Sequence, residues 1–185
     1  MGLDMYLYCN SKSVCQKVND MDDEWEGKFQ APRGIAVYWR KANAIHNWFV
    51  TNVQGGNDDC GEYDVEVSDL VKLHDACKEV LDSTELVEHG TTDVYDFDTN
   101  KMVEKPLQVL ADDSVARELL PTRSGFFFGD TAYDMWYWWD IQFTERKLSK
   151  LLDMLEPAAK DGWPEDVVCK GEPDWYVQFR YHSSW

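Results

Sequence analysis

The chain has 185 residues and a formal net charge of −17, with 35 acidic side chains against 18 basic ones and nine Trp, nine Tyr and eight Phe. One domain of this size buries enough surface to need neither a metal nor a disulfide staple. The charge speaks against direct binding of nucleic acid through a broad basic face, which requires displacing counterions with Lys and Arg.

The order of elements predicts an α+β fold, residues 1–185 forming a single mixed domain with a small sheet against three to four helices. Leu3–Tyr8 alternates apolar and polar side chains with the period of a half-buried strand. Asn10–Pro32 is polar and acidic and reads as a long loop. Ile35–Trp39 is a short β-branched and aromatic run, a second strand. From Lys41 to Gln54 the period becomes helical, with Ala42, Ile45, Trp48, Phe49 and Val53 on one side and Gly55-Gly56 as the stop. Ser68 is an N-cap candidate for a helix over Asp69–Leu81. Val94–Phe97 and Lys101–Val103 flank a turn at Asp98-Thr99-Asn100. Leu107–Leu120 is expected to be helical up to Pro121. Phe126-Phe127-Phe128-Gly129 reads as a buried strand or tight turn. Asp130 or Thr131 would cap a long helix through Leu155, and Trp175–Tyr181 alternates as a last strand. Tyr133–Trp139 holds too many aromatics for one helix face, so some must line a pocket or an interface.

Motif searches return little. Neither glycine-rich phosphate pattern is present. Asp96-Phe97-Asp98-Thr99-Asn100 starts like a calcium loop, but Lys101 stands where Gly belongs and Leu107 where Glu belongs; Asp20–Glu24 fails the same template at Trp25. Cys9, Cys15, Cys60, Cys77 and Cys169 form no metal spacing with the histidines, so no metal and no cofactor is expected. Scattered thiols, no signal-peptide pattern and no long apolar run lead to the expectation of a cytoplasmic protein with no membrane contact.

One segment breaks a local rule. Tyr38-Trp39-Arg40-Lys41-Ala42-Asn43-Ala44-Ile45-His46 passes from strand to helix and sets two cations at the helix start, where free N–H groups favour anions. Surface pairing of Arg40 and Lys41 with carboxylates is the ordinary explanation. An anionic ligand is the other, with Asn43 and His46 adding hydrogen bonds and Tyr38 or Trp39 offering a ring face. Arg123 and Ser124, before Gly125 and the Phe run, form a second candidate contact; its ordinary reading is a turn into a core strand.

Gly2-Leu3-Asp4-Met5-Tyr6-Leu7, Tyr38-Trp39-Arg40-Lys41-Ala42-Asn43 with Ile45-His46 and Trp48-Phe49, and Ser124-Gly125-Phe126-Phe127 resemble blocks of a family of small bacteriophage and prophage proteins without a settled function. The resemblance implies a phage-related protein acting in the cytoplasm of a host cell, and it brings no catalytic residues. In that setting three readings compete. The chain binds a small phosphate-bearing or nucleotide-like ligand and so counteracts a host process or defence; or its acidic surface inhibits a basic host protein by imitating nucleic acid; or it processes a nucleotide with His46 as acid–base. Self-association into a homo-oligomer stays open.

Overall fold

The computed structural model describes residues 2–19, 34–96, 98–157 and 167–185, and shows a single compact mixed α+β fold. The acidic stretch from Asp20 to Pro32, with its calcium-loop candidate, lies outside the described residues.

β1 (Asp4–Cys9) leads through α1 (Lys12–Asn19) to β2 (Ile35–Arg40), α2 (Asn43–Asn52), β3 (Glu62–Val65) and α3 (Val67–Ser83). A hairpin, β4 (Leu86–Asp96) and β5 (Lys101–Leu110), precedes α4 (Ser114–Leu119) and the long α5 (Met135–Asp153). β6 (Leu155–Pro157), β7 (Val167–Cys169), β8 (Glu172–Val177) and β9 (Phe179–Ser184) finish the chain. The main sheet has the order β2-β1-β9-β3 and is antiparallel throughout.

The period-two pattern of β1 does what it predicts. Met5, Leu7 and Cys9 are buried, while Asp4, Tyr6 and Tyr8 are half-buried on the opposite face. The register sets Met5 opposite Trp39 and Leu7 opposite Tyr181. On this inner face Tyr181 stacks on Phe49 of α2 with ring centroids 4.0 Å apart. Ile45 and Phe49 of α2, Leu70, Leu73, Cys77 and Val80 of α3, and Ile141, Leu148 and Leu151 of α5 complete one contiguous core. Each fully buried side chain of this size contributes roughly 1.5–3 kcal/mol. No helix among the described residues is long and apolar enough to cross a membrane.

Several local expectations give way to tertiary structure. Residues 107–110 belong to β5, in which Gln108, Val109 and Leu110 pair with β4 instead of starting a helix, and only Ser114–Leu119 is helical; a ladder partner outweighs a weak helical preference. The expected loop from Asn10 contains α1, whose Val14, Cys15 and Val18 are buried and whose Val14 N–H is capped by Ser11 Oγ at 3.3 Å. α3 starts at Val67, ahead of the expected cap Ser68, whose hydroxyl donates to the Glu66 carboxylate instead. α5 is capped by Asp134, neither Asp130 nor Thr131. The final alternating run is broken at Gln178 into β8 and β9, which belong to different sheets. Phe126–Gly129 is a turn, closed by Phe128 N–H donating to the Gly125 carbonyl. A Cβ on Gly125 would stand 2.5 Å from the Phe128 ring, so the turn requires glycine there.

Candidate functional site

β2 is an edge strand, so only one side of its backbone is paired. Lys41 N–H donates to the Leu3 carbonyl at 2.8 Å, which fixes the alternation: Trp39 and Lys41 face β1, whereas the backbone groups of Tyr38 and Arg40 face away. The chain then turns through Lys41, whose φ of 62° is left-handed. For a lysine this conformation costs about 1 kcal/mol. Ala42 follows at the N-cap of α2 and provides no side-chain acceptor, so no side chain caps the opening turn, in which Asn43 N–H donates to the Lys41 carbonyl at 2.8 Å.

Beside this junction lies a cavity of about 450 Å³ between the open edge of β2 and the first half of α5, closed on a third side by residues 129–134. Trp39, Trp136, Tyr137, Trp139 and Phe143 give it an aromatic wall. The wall is held rigid: Trp39 Nε1–H donates to Thr144 Oγ1 at 2.9 Å, and Trp136 meets Trp139 edge-on at 4.9 Å. Tyr137 is anchored by its hydroxyl, which donates to the Leu120 carbonyl.

Charge is unevenly distributed around the hollow. Arg40 and Lys41 stand exposed at its rim, and neither has a carboxylate partner among the described residues. Lys147 is buried in the wall, donating to the Val18 carbonyl at 3.1 Å and lying 5.6 Å from the Phe143 ring centre. Asp134 is committed to the helix: its Oδ1 accepts from Trp136 N–H and Tyr137 N–H. Asp130 Oδ1 likewise accepts from Thr131 and Ala132 N–H. Asp140 differs. Its carboxyl has no hydrogen bond or ion pair among the described residues, and desolvation, helped by the nearby Asp134 charge, pushes its pKa up to about 8.

The sequence-predicted residues divide into three groups. Tyr38, Trp39, Arg40, Lys41 and Asn43 all line the cavity. Asn43, however, is used by the protein itself: its amide donates to the carbonyls of Phe128 (3.2 Å) and Asp130 (2.6 Å), and its Oδ1 accepts from Arg123 N–H (3.1 Å). It clips the 121–131 loop onto the start of α2 and so shapes the cavity. Tyr38 lines the hollow while its hydroxyl donates to Asp4.

His46 and Arg123 lie apart from the cavity, in a polar clasp around Asp58. The buried His46 ring shares hydrogen bonds with Tyr181 Oη (2.8 Å) and Asp58 Oδ1 (3.1 Å). Arg123 Nε sits 3.3 Å from Asp58 Oδ2 and its Nη1 donates to Asn47, while Trp185 Nε1–H also donates to Asp58. Burial lowers the His46 pKa, the Asp58 carboxylate opposing it and the Arg123 charge adding to it. Both ring nitrogens are engaged, so His46 has no free nitrogen with which to act on a bound molecule. Ser124 is exposed and joins neither group.

The aromatic surplus at Tyr133–Trp139 was a signal for the far wall, since Trp136, Tyr137 and Trp139 do face the hollow. Asp140, Phe143 and Lys147 sit within an ordinary amphipathic pattern, and nothing in the sequence singles them out. Among the described residues no three His, Cys, Asp or Glu side chains are placed to hold a metal ion. Comparison with protein-family models, with curated proteins and with solved structures finds no match to this chain.

Proposed function

We propose that the chain is a binding protein whose ligand carries an anionic group next to a planar ring, the arrangement of a phosphate-bearing or nucleotide-like molecule. The observation that carries this reading is the position of Arg40 and Lys41: unpaired among the described residues, at an uncapped helix start, on the rim of an aromatic-walled hollow. A volume of about 450 Å³ lies in the range of small-molecule sites. Helix N–H groups, a guanidinium and an ammonium together favour phosphate or carboxylate, and each charge-assisted bond contributes about 1.5–3 kcal/mol. The tryptophan wall supplies faces for a ring. Resemblance to bacteriophage and prophage proteins extends the proposal: sequestering such a ligand would counteract a host process or defence.

The test is direct. Purified protein is denatured and its supernatant examined by mass spectrometry for a released phosphate-bearing compound, and nucleoside monophosphates are titrated against tryptophan fluorescence. Binding that survives Arg40→Ala combined with Lys41→Ala places the site elsewhere. A second reading, docking onto a basic host protein, has the net charge of −17 in its favour. Its complex should weaken steeply with added salt, and a salt-insensitive complex rules it out.

A further inference from the structure

We propose that Cys9 and Cys15 form a thiol modification site, whose two sulfurs join in a disulfide when the chain meets a small external disulfide such as oxidised glutathione. The site is separate from the candidate ligand cavity, and either proposal can fail alone.

Cys9 ends β1 and Cys15 lies in the first turn of α1, with Asn10 and Ser11 alone between strand and helix. Two contacts fix the sulfurs at this corner. Cys9 Sγ accepts from Ser11 N–H at 3.4 Å, and Cys15 Sγ donates to the Cys9 carbonyl at 3.6 Å. The thiols also hydrogen-bond to each other, which sets the two sulfurs in contact. Both side chains are buried and both thiols are free. Cys169 of β7 adds only its charge to the surroundings of Cys9, and its own S–H donates to the Lys170 carbonyl at 3.9 Å.

Exchange needs one sulfur to attack and a second to resolve the mixed disulfide. The hydrogen bond from Cys9 lowers the Cys15 pKa, with burial opposing it, so Cys15 is the attacking thiolate. It attacks one sulfur of the external disulfide, whose S–S bond breaks and releases one thiolate. The Cys9 sulfur then attacks Cys15 Sγ, the mixed S–S bond breaks, and the second external thiolate leaves. The protons of the two protein thiols pass to the two released thiolates. The cysteine pair gives up two electrons and the external disulfide takes them. Local opening of α1, a helix of eight residues, admits the reagent, and the equilibrium does not depend on that route. At its far end α1 borders the hollow: Asn19 lines it, and the Val18 carbonyl accepts from Lys147. The new bond therefore fastens to β1 the helix that stands beside the candidate ligand site.

The experiment equilibrates the full-length chain in mixtures of reduced and oxidised glutathione, once folded and once in urea, and then alkylates the remaining thiols. Trypsin sets each cysteine on its own peptide, 1–12, 13–17, 42–72, 73–78 and 161–170, so mass spectrometry assigns every linkage without ambiguity. Peptide 1–12 joined to 13–17 should be the main product. Its equilibrium constant should be at least about 10-fold larger in the folded chain than in urea, because the fold already holds the sulfurs in contact. By reciprocity the oxidised chain should unfold at a higher urea concentration than the reduced one. A constant no larger in the folded chain than in urea overturns the proposal, since closeness in sequence alone then explains the bond. A main linkage through 161–170, or a folded chain that stays reduced where the unfolded chain is oxidised, overturns it as well. All of these measurements use the native sequence, so none depends on a variant that must fold.

Discussion

The start and the middle of α2 treat polar groups in opposite ways. At His46 every polar atom is answered: the ring by Tyr181 and Asp58, Asp58 in turn by Arg123 and Trp185. At Arg40 and Lys41, less than two helical turns away, cations, an uncapped turn and the backbone of an edge strand are left open beside a hollow. A protein closes polar networks where it needs rigidity, because an unanswered buried group costs about 1–3 kcal/mol. The polar groups left open next to the aromatic cavity are the ones on which the ligand-binding proposal rests. The contrast removes His46 from both roles expected of it, ligand contact and acid–base, since its ring belongs to the closed network.

The comparison can be broken at the closed end with the largest effect. His46→Ala should destabilise the fold by about 3 kcal/mol, read from urea denaturation, because it opens a cavity, takes the ring partner from the buried Tyr181 hydroxyl and leaves Asp58 with only Arg123 and Trp185. The same clasp has a pH signature. The folded-state pKa of His46 is lowered, so the unfolded chain takes up the proton more readily. Stability from this group is therefore present above about pH 6.5 and declines as pH falls below it. A urea midpoint that stays flat from pH 7 to about 5 in the native chain, or that declines equally in His46→Ala, contradicts the assignment.

At the open end, Arg40→Ala with Lys41→Ala should weaken nucleoside monophosphate binding by roughly 10- to 100-fold, while the unfolding midpoint moves by less than about 0.5 kcal/mol. Loss of both affinity and stability would make the pair structural. Asp140→Asn should raise stability at neutral pH by on the order of 1 kcal/mol. The sign follows from its raised pKa: between the ordinary carboxylate value and about 8 the native state holds more protons than the unfolded one, so stability falls as pH rises through that window, and the amide removes the fall. The smallest effect is at Lys41, where Gly suits the φ of 62°. Lys41→Gly should stabilise by up to about 1 kcal/mol, yet weaken ligand binding.

Much of the frame was legible from local pattern. β1, β2 and α2 follow from residue alternation and a change of period, and α5 from its long apolar stripe. The expected helix over Leu107–Leu120 failed because pairing with β4, a contact between separate segments, outweighs propensity. α1 was passed over because its apolar spacing is short, although Ser11 before Val14, Cys15 and Val18 was a readable start signal. At the site, the cation pair could be found because it contradicts the helix dipole, a rule that operates within one turn.

Chain order and local chemistry by themselves determined an acidic mixed α+β protein with two cations at a helix start. Only the tertiary structure decided that Trp136, Trp139 and Asp140 stand across from them, that Asn43 is a clip, and that His46 is enclosed. The reason is physical. Periodicity and capping depend on neighbours a few residues apart, whereas a cavity wall and the protonation of a carboxyl within it depend on which distant segments exclude water from the same space.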